Sequence, residues 1–154
     1  MAIAGKVPKS PAAALGIAVG KDAYKAYAEL IASPRWLRAF NAGARPQRLL
    51  FASTGAKDPA LSDVLYVQAL AAPLTINTMP ENTLKAFADH GRIDAIVDAG
   101  GDSATMLAEF RGAGIDADAL ASKLQAEGET SFVASWNELM KVIASKSAAV
   151  AKAS

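Results

Sequence analysis

Four residues in the run LLFASTGAKDP have types and spacing that could do chemistry together: Ser53, Thr54, Gly55 and Lys57. A serine hydroxyl, backbone N–H groups exposed at Thr54 and Gly55, and an ammonium a few residues on are the donors that cradle a phosphate dianion. As a bare pattern the group is weak. It lacks the second glycine of a Walker loop, and a solvated strand-to-helix loop would read the same way. Farther along, Asn77 and Thr78 close a second apolar run and place two more polar groups at the mouth of a possible site. Capping of the following helix explains Thr78 equally well.

The other reactive side chains offer less. His90 is the sole histidine and precedes Gly91, which reads as a helix end with the imidazole facing the dipole. One histidine, no cysteine and no clustered acids leave no metal site and no nucleophilic triad. Asp94, Asp98 and Asp102 are too loosely spaced for a calcium loop. A Schiff-base lysine must be desolvated or lie beside another cation. Lys57 is the one lysine near a strand end; the others fall on predicted helix faces or tails, where a solvated charge is the default. The residues therefore assign no catalytic group, no metal and no cofactor.

A chain of 154 residues fits one domain, and at this size about 68–70% of the unfolded surface can be buried. Sixteen basic and 15 acidic residues give a formal charge of +1, which supplies no field to argue for nucleic acid or an anionic membrane. Hydrophobic residues make up 52%, much of it alanine, and no apolar run approaches the ~18–20 residues of a membrane span. The absence of cysteine permits a cytoplasmic setting, which is the expected one. Residues 1–14 read as an irregular start that makes a poor secretory signal, 15–146 as the folded domain, and 147–154 as a frayed tail.

The elements that must position Ser53 and Asn77 follow from periodicity. Ile17, Gly20, Tyr24, Tyr27 and Ile31 recur at three- and four-residue spacing, predicting a core-packed helix that ends near Ser33. Ser33-Pro34 then caps a short helix carrying Trp36, Leu37 and Phe40, stopped by Gly43. Arg48 to Ala52 is a continuous apolar run, the signature of a parallel strand covered on both faces. Leu61 to Ala71 reads as a helix with Ser62 as its N-cap, and Leu74 to Asn77 as the second strand. Pro80 opens a helix with Leu84, Phe87 and Ala88 inward. After the Gly100-Gly101 break, Asp102 or Ser103 caps a helix with Met106, Leu107 and Phe110 on one side. Asp116 starts another with Leu120 and Leu124, and Gly128 leads into a last long one with Phe132, Trp136, Leu139, Met140 and Ile143. Two strands with helices between them make an α/β pattern that looks incomplete, since an unpaired apolar edge invites association.

The long stretch ARPQRLLFASTGAKDPALSDVLYVQALAAPLTINTMPENTLKAFADHG resembles the carboxyl-terminal third of bacterial transaldolases. The resemblance extends back through GIAVGKDAYKAYAELIASPRW and forward through the turn at Gly114 to Asp116 and SFVASWNELM, so that it covers most of the chain. Two departures are visible: Phe51 stands where the family usually has Trp, and Leu61 where Tyr is frequent. Both keep bulk and lose a polar handle.

The resemblance implies the carboxyl-terminal portion of a TIM (β/α)8 barrel: two parallel strands, the family's seventh and eighth, with about six helices. It also implies the family's chemistry, transfer of a dihydroxyacetone unit between sugar phosphates of the pentose phosphate pathway through a lysine Schiff base. The motifs of that lysine and of the proton-handling carboxylates are not found here. What the resemblance carries over is the substrate-phosphate end: Ser53, with Lys57 as the basic residue of the same loop. The implied partners are a phosphorylated sugar and the missing barrel segment. The alternative is a non-catalytic sugar-phosphate-binding module, or a half-barrel that self-associates through its strand edges.

Overall fold

The computed structural model describes residues 13–93, 96–97 and 100–153. Most of the expected start at 1–14, together with Asp94 and Asp98, lies outside them. Two compact units divide the chain, Met1–Ala113 and Gly114–Ser154.

In the first unit, helix α1 (Ala13–Ala32) buries Leu15, Ile17, Ala18 and Tyr24, of which Ile17 and Tyr24 lie on the face that the spacing predicts. Tyr24 and Tyr27 stand with ring centroids 6.4 Å apart. Ser33 then caps α2 (Pro34–Asn41), its Oγ accepting the Trp36 N–H at 3.2 Å, and Gly43 ends the run with a φ of 97°. None of the residues of α2 is buried.

Strands β1 (Leu49–Phe51) and β2 (Thr75–Asn77) form a two-stranded parallel sheet, with Leu50 paired to Ile76 and Phe51 to Asn77. The crossover between them carries helix α3 (Leu65–Ala69), shorter than the expected Leu61–Ala71. Ser62 does not cap it: its Oγ closes a local turn on the Val64 N–H at 3.4 Å, and Val64 takes the N-cap position. A hydroxyl that bonds two residues on competes with helix entry, which delays the helix start.

The sheet also departs from expectation on its faces. Leu50 is 47% and Ile76 38% exposed, so the apolar run is covered on one side only. Among the described residues no third strand flanks the pair. Helix α4 (Glu81–His90) turns the same way: Leu84 and Ala88, expected inward, are exposed, Phe87 is half-buried and Thr83 is the buried residue. Leu84, Phe87 and Ala88 share a helix face by their spacing, and that face is the more exposed one of α4.

Helix α5 (Ser103–Gly112) packs on α1, with Phe110 1% exposed and Met106 and Leu107 half-buried beside it. Its N-cap is Asp102, whose carboxylate bonds Lys21 Nζ of α1 at 2.6 Å instead of the helix amides. Gly100 makes the approach possible. Its φ is 84°, and a Cβ there would sit 2.6 Å from Lys25 Cβ. Val64, Val67 and Leu70 complete the core around α3.

The second unit is dominated by α6 (Ala117–Ala153), a single helix of 37 residues. The expected break at Gly128 does not occur. An isolated glycine costs a helix only about 1 kcal/mol, and the good helix formers on both sides outweigh it. Phe132, Trp136, Leu139, Met140 and Ile143 recur at helical spacing as expected, and all are exposed. The helix runs on through the expected tail.

Candidate functional site

The loop leaving β1 turns at Ser53, whose φ of 57° lies in the left-handed region. A residue with a Cβ costs about 1–2 kcal/mol there, a cost that structures tend to retain at functional positions. Ser53 is exposed.

Thr54 follows and is only 4% exposed. Its hydroxyl donates to Asn77 Oδ1 at 2.6 Å and lies 3.3 Å from the Thr78 carbonyl. One hydrogen serves this pair of acceptors, so the shorter bond carries the interaction. The Thr78 N–H donates to the Phe51 carbonyl at 2.9 Å, extending the ladder just past β2. Gly55 comes next. A Cβ on it would lie 3.1 Å from both Pro80 Cγ and Thr83 Oγ1, so a small residue lets the loop sit against the start of α4.

The structure therefore brings Ser53, Thr54 and Gly55 together with Asn77 and Thr78 at the carboxyl ends of both strands. Lys57 lies in the same loop and is exposed. It has none of the burial that turns a lysine into a Schiff-base nucleophile. Asp58 next to it closes a local turn, accepting the Ala60 N–H at 2.9 Å through Oδ1 and the Leu61 N–H at 3.0 Å through its carbonyl.

One expected role is extended and one changes. Thr54 was expected to offer its amide to a ligand, and its side chain in addition braces Asn77. Thr78 was a possible helix cap, but the N-cap of α4 is Pro80, with no side-chain cap bond.

One constellation is invisible in the sequence. His90, the last residue of α4, places Nε2 2.9 Å from Asp63 Oδ1 and Nδ1 3.1 Å from Asp89 Oδ2. The hydrogen bond to Asp63, and secondarily that to Asp89, raises the imidazole pKa above its ordinary value. Asp89 could be read as its neighbour in sequence; Asp63 could not, since nothing periodic links residues so far apart. Among the described residues no group of three or more His, Asp or Glu is arranged to hold a metal ion, and no helix is long and apolar enough to cross a membrane.

Residues 2–143 match the family model described as Transaldolase/Fructose-6-phosphate aldolase. The chain is 47% identical over 129 residues to a protein named Transaldolase from Parafrankia sp. (strain EAN1pec), covering 82% of this chain and 35% of that protein. It is 45% identical over 135 residues to the Transaldolase of Thermobifida fusca (strain YX), 86% of this chain and 37% of the relative. The Transaldolase of Arthrobacter sp. (strain FB24) is 43% identical over 141 residues, 90% of this chain and 38% of the relative. The chain thus spans a little over a third of the length of the curated relatives it matches.

Proposed function

The chain belongs to the transaldolase/fructose-6-phosphate aldolase family, and from that premise we propose that it supplies the substrate-phosphate end of a transaldolase site. Its helix-rich architecture with two parallel strands is that of a carboxyl-terminal part of the family's α/β barrel. In this reading Ser53 Oγ, the amides at Thr54 and Gly55, and the Lys57 ammonium bind the phosphate of a phosphorylated sugar. Asn77 holds the loop in place through Thr54.

The single observation that carries the reading is the strained turn at Ser53, φ 57°, locked one residue later by the bond from Thr54 to Asn77. Leu74, just before β2, shares the left-handed conformation with a φ of 60°, so what favours a site at Ser53 is the place of its turn beside the polar side chains at both strand ends. Ligands of barrel enzymes sit beyond the carboxyl ends of the strands, where this turn lies.

The family chemistry divides between two regions. A lysine amine condenses with the donor ketone, losing water, and the imine accepts the electron pair when the carbon–carbon bond breaks. The exposed Lys57 is unsuited to that step, and the motif of the family's lysine is not found in these 154 residues. Dihydroxyacetone transfer is therefore assigned to this chain only together with the barrel segment that bears the lysine.

Calorimetric titration with fructose 6-phosphate and with fructose tests the binding role. Fructose 6-phosphate binds, fructose does not, and Lys57→Met weakens binding by roughly tenfold, the scale of one charge-assisted contact. Equal affinity for the two sugars would overturn the reading.

The sheet has two strands among the described residues, each with one edge unpaired, which favours a second reading in which those edges pair with another strand, from the remaining barrel or from a second copy. Native mass separates the two sources.

A further inference from the structure

Helix α4 meets the β1–α3 loop at both of its own ends. At its first turn, Pro80 and Thr83 close on Gly55, leaving 3.1 Å for a Cβ. At its last residue, His90 Nε2 lies 2.9 Å from Oδ1 of Asp63, which immediately precedes the α3 N-cap. From Thr83 to His90 the helix rises about 10 Å. The loop residues between the two grips include Lys57.

The hydrogen bonds described inside that run are local. Asp58 bonds Ala60 and Leu61, and Ser62 bonds Val64 and Leu65. Such turns shape the loop without fixing it to the body of the protein. The Asp63–His90 bridge reaches across to another element.

We propose that the Asp63–His90 bridge is a clasp that sets the position of the β1–α3 loop, making both of them positioning residues for the phosphate group bound by Ser53 and Lys57. The inference rests on the phosphate reading above for its consequence in binding, and on the contacts of α4 for the clasp itself.

The clasp depends on protonation for a structural reason. His90 faces Asp63 from the segment ahead of α3 and Asp89 from its own helix. An imidazolium donates from both nitrogens and satisfies both carboxylates. A neutral ring has one N–H, so one of the two carboxylates then meets a lone pair. On the same side, Gln68 Nε2 of α3 donates to the Arg92 carbonyl at 2.6 Å, a neutral link that does not titrate and limits how far the end of α4 can move. All three side chains of the bridge are at least half exposed, so the effect on binding is modest.

Two-dimensional amide NMR on the whole chain, from about pH 5.5 to 8.5, tests the clasp without any ligand. Amides of residues 56–58 and 60–63 are expected to shift with the same midpoint as the His90 imidazole. In Asp63→Asn the imidazole still titrates but the loop amides no longer follow it, and Asp63→Glu restores part of the coupling. Titration with fructose 6-phosphate near pH 6 then shows roughly two- to fivefold weaker binding in Asp63→Asn and no such loss in Asp89→Asn. Loop amides that stay still while His90 titrates would overturn the clasp. Loop amides that follow His90 in a chain that does not bind fructose 6-phosphate would uphold the clasp and sink the phosphate reading instead.

Discussion

Thr54 Oγ1 lies 2.6 Å from Asn77 Oδ1, and this bond ties the loop beyond β1 to the last residue of β2. It joins two side chains across the strand ends, and it involves a threonine that is almost fully buried. Substituting Thr54→Val keeps the shape and removes the donor. Leaving a part-buried amide oxygen unmatched costs about 1–3 kcal/mol, read as a lower midpoint in urea unfolding with an unchanged slope.

Ser53 occupies its left-handed conformation at a cost that glycine would not incur. Ser53→Gly is therefore expected to stabilise the chain by up to about 1 kcal/mol while weakening fructose 6-phosphate binding through loss of the hydroxyl. Thermal unfolding and calorimetric titration on the same sample check both halves. A destabilised variant would mean that the turn is not strained.

The Lys21–Asp102 pair joins α1 to the start of α5 at 2.6 Å. Its hydrogen bond to Lys21 is the main cause of a lowered Asp102 pKa. With the folded pKa below the unfolded one, the contribution is present above the ordinary carboxylate range and is lost as pH falls through the folded value. Acid unfolding of Lys21→Met should therefore begin with this increment already gone, so that the gap in stability from wild type narrows as pH falls below about 4.

Gly128 sits inside α6 with nothing within 4 Å of the position a Cβ would take. Gly128→Ala is expected to raise helix stability by about 0.5–1 kcal/mol, measured by circular dichroism through the thermal transition. No change would indicate that this turn of the helix is already frayed.

Much of the fold could be read from the sequence because it rests on local rules. Ser33-Pro34 before Trp36 fixes a helix start by capping chemistry, and the spacing of Ile17, Gly20, Tyr24, Tyr27 and Ile31 marks an inward face of α1, on which Ile17 and Tyr24 are buried. The apolar run at Leu49 to Phe51 marks a strand, but it could not say whether anything covers Leu50. Coverage belongs to whatever packs there, not to the strand. The same holds for Leu84 on α4. Within the site, Ser53 and Lys57 were visible as residue types, whereas the left-handed turn, the brace from Thr54 to Asn77 and the Asp63–His90 bridge were not. The brace and the bridge depend on side chains from distant positions meeting in space, and the turn on a backbone angle that a serine rarely adopts, so none leaves a periodic trace. Gly128 misled for the opposite reason: a local breaker was outvoted by its neighbours.

Lys57 is exposed, and a Schiff base on it is not expected. Incubation with fructose 6-phosphate followed by borohydride reduction should leave the intact mass unchanged. A stoichiometric adduct that disappears in Lys57→Ala would show that this chain carries its own imine-forming lysine.

The most direct test of the central claim is a map of amide shifts as fructose 6-phosphate is titrated into the chain. The account predicts saturable shifts concentrated at Ser53, Thr54, Gly55 and Lys57, with smaller ones at Asn77 and Thr78. Saturable shifts gathered elsewhere, with those six residues unmoved, would contradict it.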